Sequence, residues 1–209
     1  SKAPTHDLHY GLKLESADHN SNGLGGYISG PLSERFNYRI STQKIKSDGF
    51  STNRFLDDET NTRDEHLIRA KVNGKLLDDV NLDFTASQIS LDNGYDAFSL
   101  DNKRDTLSDQ PGSDEQDSKL FSANITVSRF KNFTFNALLG FGDSKTEYSY
   151  DEDWVYDGFH PWGYSSTDQY NRDRRTVSNE FRFTSSEEGK ILFDTTDWVF
   201  GVYSLQQEV

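Results

Sequence analysis

Residues 118–143, SKLFSANITVSRFKNFTFNALLGFGD, constrain the fold of this chain more than any other stretch. Phe121, Ala123, Ile125 and Val127 alternate with Ser122, Asn124, Thr126 and Ser128. After a polar turn at 129–132, Phe133, Phe135, Ala137, Leu139 and Phe141 continue the apolar side, with Thr134, Asn136, Gly140 and Gly142 opposite. Only Leu138 breaks the order. Successive strand residues point to opposite sides, so the spacing predicts a hairpin with one apolar and one polar face. Two architectures share this period. A sandwich strand turns its apolar face inward, whereas a membrane-barrel strand turns it outward and lines a lumen with its polar face.

What lies on either side of the hairpin separates the two. Leu8, Tyr10, Leu12 and Leu14 alternate with polar neighbours, a Gly-rich strand GLGGYISG follows, and Phe36, Tyr38 and Ile40 make a third. Ile68, Ala70 and Val72, then Val80, Leu82, Phe84 and Ala86, repeat the pattern, and two last strands fall near 175–184 and 198–208. Short turns at 30–35, 73–79 and 129–132 take turns with long acidic loops near 50–63, 92–117 and 148–173. Structureless loops of ~20 residues are uncommon in a compact soluble domain. An up-and-down barrel expects them, because short turns gather on one side of the membrane and long loops on the other. Strands of ~10 residues also suit a tilted crossing of the bilayer. The expected fold is therefore all-β: an antiparallel up-and-down meander of roughly nine strands. Residues 1–209 form a single β-barrel segment, part of a transmembrane barrel with short turns and long extracellular loops.

Composition limits the function. A net charge of −13 repels phosphate backbones, so no nucleic-acid partner is expected. Mean hydropathy is −0.83 and no run of ~18 apolar residues exists, which excludes a helical span but not a barrel. The absence of cysteine removes disulfides and thiolate metal sites. The chain carries no Met, signal peptide or lipidation motif and ends inside a strand-like run, which suggests an excised or mature piece. No nucleophile–base pairing stands out. His6, His9, His19, His66 and His160 form no HExxH, and GxSxG, P-loop and GxGxxG are absent. No enzyme activity and no cofactor are expected. The acidic stretch 92–117 has oxygen ligands enough for calcium but not the EF-hand spacing, so it reads as a solvated loop and no metal is assigned.

The run Arg175-Thr-Val-Ser-Asn-Glu180-Phe-Arg182-Phe-Thr-Ser, followed by Trp198-Val-Phe-Gly201-Val-Tyr203, resembles consecutive barrel strands of TonB-dependent outer-membrane receptors. Phe36-Asn-Tyr-Arg39-Ile-Ser, Asp48-Gly49-Phe50 and Leu67-Ile-Arg69-Ala-Lys71 are similar to an earlier part of such a barrel. The resemblance implies an internal barrel segment of the bacterial outer membrane, without the plug domain, the TonB box or the terminal strand. Outer-membrane transporters have about 22 strands around a plugged lumen, so a segment alone leaves two unpaired edges. It also implies uptake of a scarce small-molecule ligand: an iron-siderophore, cobalamin or a saccharide. The partners would be outer-membrane lipid and TonB, the latter reached through the plug region.

Two sets of residues are the candidate sites. Trp154, Tyr156, Phe159, His160, Trp162 and Tyr164 crowd one loop, where flat amphipathic rings suit ligand binding. Tyr148 and Tyr150, next to the strand, are assigned to an aromatic girdle at the bilayer surface. Arg39, Arg69, Lys71, Asp83, Glu180 and Arg182 fall on the polar face by parity and would line the lumen. The competing reading is a soluble, acidic, extracellular β-sheet binding module, for example for carbohydrate.

Overall fold

A computed structural model of the chain describes residues 2–96 and 98–209. Nine strands lie side by side, every neighbouring pair antiparallel. They are β1 (His9–Ala17), β2 (Ser21–Pro31), β3 (Phe36–Ser47), β6 (Arg63–Leu77), β7 (Val80–Tyr95), β9 (Gly112–Val127), β10 (Phe133–Asp151), β11 (Thr167–Ser185) and β12 (Val199–Glu208). Three short strands, β4 (Ser51–Asn53), β5 (Asp58–Thr60) and β8 (Asp105–Thr106), form a separate small sheet in the order β5-β4-β8. The main sheet is an open meander with β1 and β12 at its edges, and the small sheet was not legible in the sequence pattern.

The register sorts the side chains as the alternation predicts. Ile40, Ala70, Ala86, Phe121, Phe141 and Val177 lie opposite one another in a row across six strands. The neighbouring row of the other face runs Arg39, Lys71, Thr85, Ser122, Gly140 and Ser178. Among the described residues, the only buried hydrophobic side chains are Val80, Ala137 and Val155. Ile40, Phe84, Phe121, Leu139 and Phe181 remain 37–47% exposed, so the apolar face is covered by no second layer.

That face is also banded. On β10 it is apolar from Phe133 to Phe141 and then carries Asp143, Lys145 and Glu147. β9 passes from Val127–Phe121 to Lys119 and Asp117, and β6 from Val72–Ile68 to His66 and Asp64. Nine residues of strand span about 27 Å along the chain, so the band is about that deep measured along a strand. Beyond it, this face is polar on all three of these strands.

The strands run farther than the sequence suggests. β10 and β11 have 19 residues each, β7 and β9 16. The loops expected at 92–117 and 148–173 shrink to 96–111 and 152–166. In the distal halves of β10 and β11 neither face is aliphatic, so no period of two betrays the strand. Backbone pairing persists nonetheless, up to Tyr148↔Tyr170 and Asp151↔Thr167.

The short turns stay at the expected end of the sheet, though those expected at 30–35 and 73–79 tighten to 32–35 and 78–79 and the third spans 128–132, opposite the longer connections 48–62, 96–111 and 152–166. The alternation breaks at both flanks. The connection at 18–20 is short although it lies at the long-loop end. The connection at 186–198 is long although it lies with the turns, and contains a 3-10 turn at Glu187–Gly189. There the Trp198 indole N–H donates to the Gly189 carbonyl at 2.7 Å.

Gly49, just beyond β3, has φ of +102°, and a Cβ there would sit 1.8 Å from the Thr60 carbonyl oxygen. Gly49→Ala must therefore push β5 away as well as strain the backbone. We expect it to cost about 3 kcal/mol in local stability, read as earlier proteolytic cleavage within 48–62.

Candidate functional site

The long connections are fastened to one another before they present anything. Asn53, fully buried, uses both amide hydrogens and both carbonyl lone pairs. Its Nδ2 donates to Asp96 Oδ2 at 3.1 Å and to the Ser108 carbonyl at 2.7 Å. Its Oδ1 accepts from the Phe55 and Leu56 amides at 3.0 and 2.9 Å. Thr106 also donates its hydroxyl to Asp96. Asn61 donates to the Asp96 carbonyl and accepts from the Asp96 amide. Loops 48–62 and 96–111 are thus tied by one buried polar knot and by the parallel pairing of β4 with β8. Loop 152–166 joins through Asp109, whose carboxylate accepts from the Asp157 amide at 2.8 Å.

On this base stand two groups of rings. The first is Tyr95 of β7, Tyr148 and Tyr150 of β10, Tyr170 of β11, and Phe98 and Trp154 from the loops. Tyr95 lies 4.9 Å from Tyr148, Phe98 5.7 Å from Tyr150, and Trp154 stacks on Phe98 at 5.0 Å. Register places Tyr148, Tyr150 and Tyr170 on the polar face, continuous with Arg172 and Arg174. The girdle assignment of Tyr148 and Tyr150 is therefore corrected, because a girdle needs the apolar face. Tyr150 and Tyr170 both donate to Asp168 Oδ2, at 3.1 and 2.9 Å. The Asp168 carboxylate pushes the Tyr150 hydroxyl up to about 12, and burial raises that of Tyr148. Both are neutral donors at any physiological pH.

The second group is a rim: Tyr156 stacks on Phe55 at 4.6 Å, Phe159 meets Tyr156 edge-on, and His160 and Trp162 stack at 4.8 Å. Trp162 is 72% exposed. Of the six loop residues expected to bind ligand, Tyr156, Phe159, His160 and Trp162 are thus brought together. Trp154 belongs to the other group, and Tyr164 instead donates to Glu152 at 3.5 Å. Phe55 and Phe98 were missed, since they come from distant loops that the knot brings close, and Tyr95 because it ends β7 in a stretch expected to be loop.

Below the rings, the polar face forms an open trough of about 640 Å³ spanning β6 to β11. Room for it is left by Gly140 and Gly142, which follow each other on that face of β10 opposite Ser122 and Leu120 of β9. Arg69 and Lys71 stand on one side, Arg174 on the other. All six residues expected to line a lumen do lie on the polar face. Only Arg69 and Lys71 reach this trough. Arg39 lies over the Tyr27 ring at 3.9 Å, Arg182 pairs with Glu180, and Asp83 borders a separate hollow near the short turns. Arg174 was missed because β11 was expected to begin at 175; extending the alternation by one residue would have found it.

Four acids of the 92–117 stretch are engaged in loop bonds and ion pairs: Asp96 in the knot, Asp109 on the Asp157 amide, Asp105 on Arg54 and Asp101 on Lys103. Among the described residues, no group of three or more His, Asp or Glu side chains converges as metal ligands do. Asp151, 6% exposed, is different. Its Oδ1 accepts from the Asp153 amide at 3.2 Å while Oδ2 has no partner. Burial, then the neighbouring Asp153 carboxylate, raises its pKa. A raised folded-state pKa in an acid favours the protonated fold, so stability falls as pH rises past the ordinary aspartate range. Asp151→Asn keeps the Oδ1 acceptor and removes the charge. It should protect loop 152–166 from proteolysis at pH 7, with the advantage over the parent shrinking as pH falls towards about 4 and gone below it.

What the site offers chemically is ring faces, hydroxyl and guanidinium donors, and a broad open floor, which suits recognition of a small molecule. A scan against protein-family models and searches of curated proteins and of solved structures return no match to this chain.

Proposed function

We propose that the chain is a barrel segment of a TonB-dependent outer-membrane receptor for a scarce small-molecule nutrient. In this reading the apolar face meets outer-membrane lipid and the polar face lines the passage. The fastened loops with their rings form the extracellular entrance, and TonB acts through a plug outside this segment. One observation carries the proposal: a single-layer antiparallel meander whose apolar face is uncovered and confined to a band beside the short turns. A soluble sandwich would need a second layer over that face, whereas a barrel wall needs lipid over about 25 Å of height. Strands that continue past the band with polar residues on both faces suit a wall that projects beyond the membrane.

The test is fractionation of native cells with an antibody raised against residues 98–111. A heat-modifiable outer-membrane band several-fold larger than 23.9 kDa is expected. A soluble band near 23.9 kDa would overturn the proposal in favour of an extracellular binding module.

A further inference from the structure

We infer that the trough on the polar face takes an anionic small molecule bearing at least two negative groups. The chain has 35 acidic and 22 basic residues, and three of the cations, Arg69, Lys71 and Arg174, line this one trough. Yet no Asp or Glu lines the trough. Among the described residues, none of the ion pairs within 4 Å involves Arg69, Lys71 or Arg174.

Several cations elsewhere on the same sheet are neutralised or covered. Arg63 pairs with Glu65, Arg182 with Glu180, Arg175 with Asp143, and Arg39 lies on the Tyr27 ring. Arg69 is held in place by a neutral partner, Nε donating to Ser87 Oγ at 3.0 Å, which leaves its terminal N–H groups free to act as a fork.

The geometry sets the spacing of the negative groups. Arg69 on β6 and Arg174 on β11 are separated by four strand spacings, about 19 Å along the sheet, with two long side chains to close the gap. Between them the floor carries Ser87, Ser118, Leu120, Gly142 and Ser144, so a ligand lying across it rests on the Leu120 side chain. A groove lined by one sign of charge concentrates ligands of the other sign, and a volume of about 640 Å³ is that of an ordinary small-molecule site. Carboxylate, catecholate and phosphate groups all meet these donors. A neutral saccharide gains nothing from them.

The inference rests on the receptor proposal for what the ligand is for, but its test is separate. The whole protein, purified from its native cells, is labelled with phenylglyoxal with and without tripolyphosphate, and each arginine is read by peptide mass spectrometry. Arg69 and Arg174 should react in the anion-free protein and be protected saturably by tripolyphosphate. Arg175 and Arg182, already paired, should not respond. The double variant Arg69→Gln/Arg174→Gln should bind tripolyphosphate at least tenfold more weakly by calorimetry, and 0.5 M NaCl should weaken binding to the parent. Labelling that ignores tripolyphosphate would overturn the inference. So would Arg69 and Arg174 that resist the reagent without any anion, because carboxylates from elsewhere in the protein would then already fill the trough. Fractionation and protection fail independently: a soluble protein with protected arginines sinks only the receptor proposal, and an outer-membrane protein with indifferent arginines sinks only this one.

Discussion

Phe181→Arg is expected, on the receptor proposal, to prevent the protein from accumulating as a folded, heat-modifiable species in the outer membrane. Phe181 stands in the apolar row Leu82, Ile125, Ala137, Phe181 and Val202, midway down the band. Its ring also stacks near that of Phe135, at 6.3 Å. If this row lies at the bilayer midplane, an arginine there costs about 2–4 kcal/mol. Loss of the ring contacts adds to this. The next residue, Arg182, is already an arginine and pairs with Glu180 on the opposite face, so the side of the sheet decides the effect and not the region of the chain. Thr184→Arg, on the polar face of the same strand, is the control and should leave the folded amount unchanged. Equal behaviour of the two variants would contradict the assignment of the faces.

Asn53→Ala should release the long loops while leaving the nine-stranded ladder intact. The side chain satisfies four hydrogen bonds at a fully buried position, and its loss orphans the Phe55 and Leu56 amides, the Ser108 carbonyl and part of the Asp96 carboxylate. A buried polar group left unpaired costs about 1–3 kcal/mol, so a local loss of about 4 kcal/mol is a moderate expectation for the set. At 1.4 kcal/mol per factor of ten, the Phe55 and Leu56 amides should exchange with solvent about a thousandfold faster. Amides of β9 and β10, which depend on the ladder alone, should not change. With the knot open, the rim ring Tyr156 loses its fixed partner Phe55, and trypsin should cut at Arg54 and Arg104. Unaltered exchange at Phe55 and Leu56 would show that the knot does not hold these loops.

The parts of the fold that were legible in the sequence are those where one face is apolar. Phe121 to Val127 and Phe133 to Phe141 announce β9 and β10, and the register then places them together as the alternation requires. Leu138 reads as a break in the pattern and proves to be an apolar residue on the polar face, between Asn124 and Glu180. The distal strand halves were illegible for a physical reason. Residues 143–151 and 167–174 carry charge, Tyr or Ser on both sides, so only backbone pairing, which leaves no mark on composition, makes them strand.

The site divides in the same way. Parity put Arg69 and Lys71 on the polar face, but it did not separate them from Arg39 and Arg182, whose charges are taken up by Tyr27 and Glu180. The Asn53–Asp96–Thr106 knot joins residues far apart in the sequence by hydrogen bonds that no local motif signals. Without that knot, the partnership of Phe55 with Tyr156 and of Phe98 with Trp154 had no visible cause.

The central claim is that the apolar face meets lipid and the polar face meets water, and six adjacent positions of β10 test it most directly. The chain contains no cysteine, so a thiol introduced at Thr134, Phe135, Asn136, Ala137, Leu138 or Leu139 is the only one in this segment. Each variant of the whole protein is spin-labelled in native outer membranes and relaxed in turn by molecular oxygen, which partitions into lipid, and by a water-soluble nickel chelate. The account predicts strict alternation: oxygen access at 135, 137 and 139, chelate access at 134, 136 and 138, with Leu138 on the water side despite its apolar side chain. Chelate access at all six positions, or oxygen access at 138 with none at 139, would contradict it.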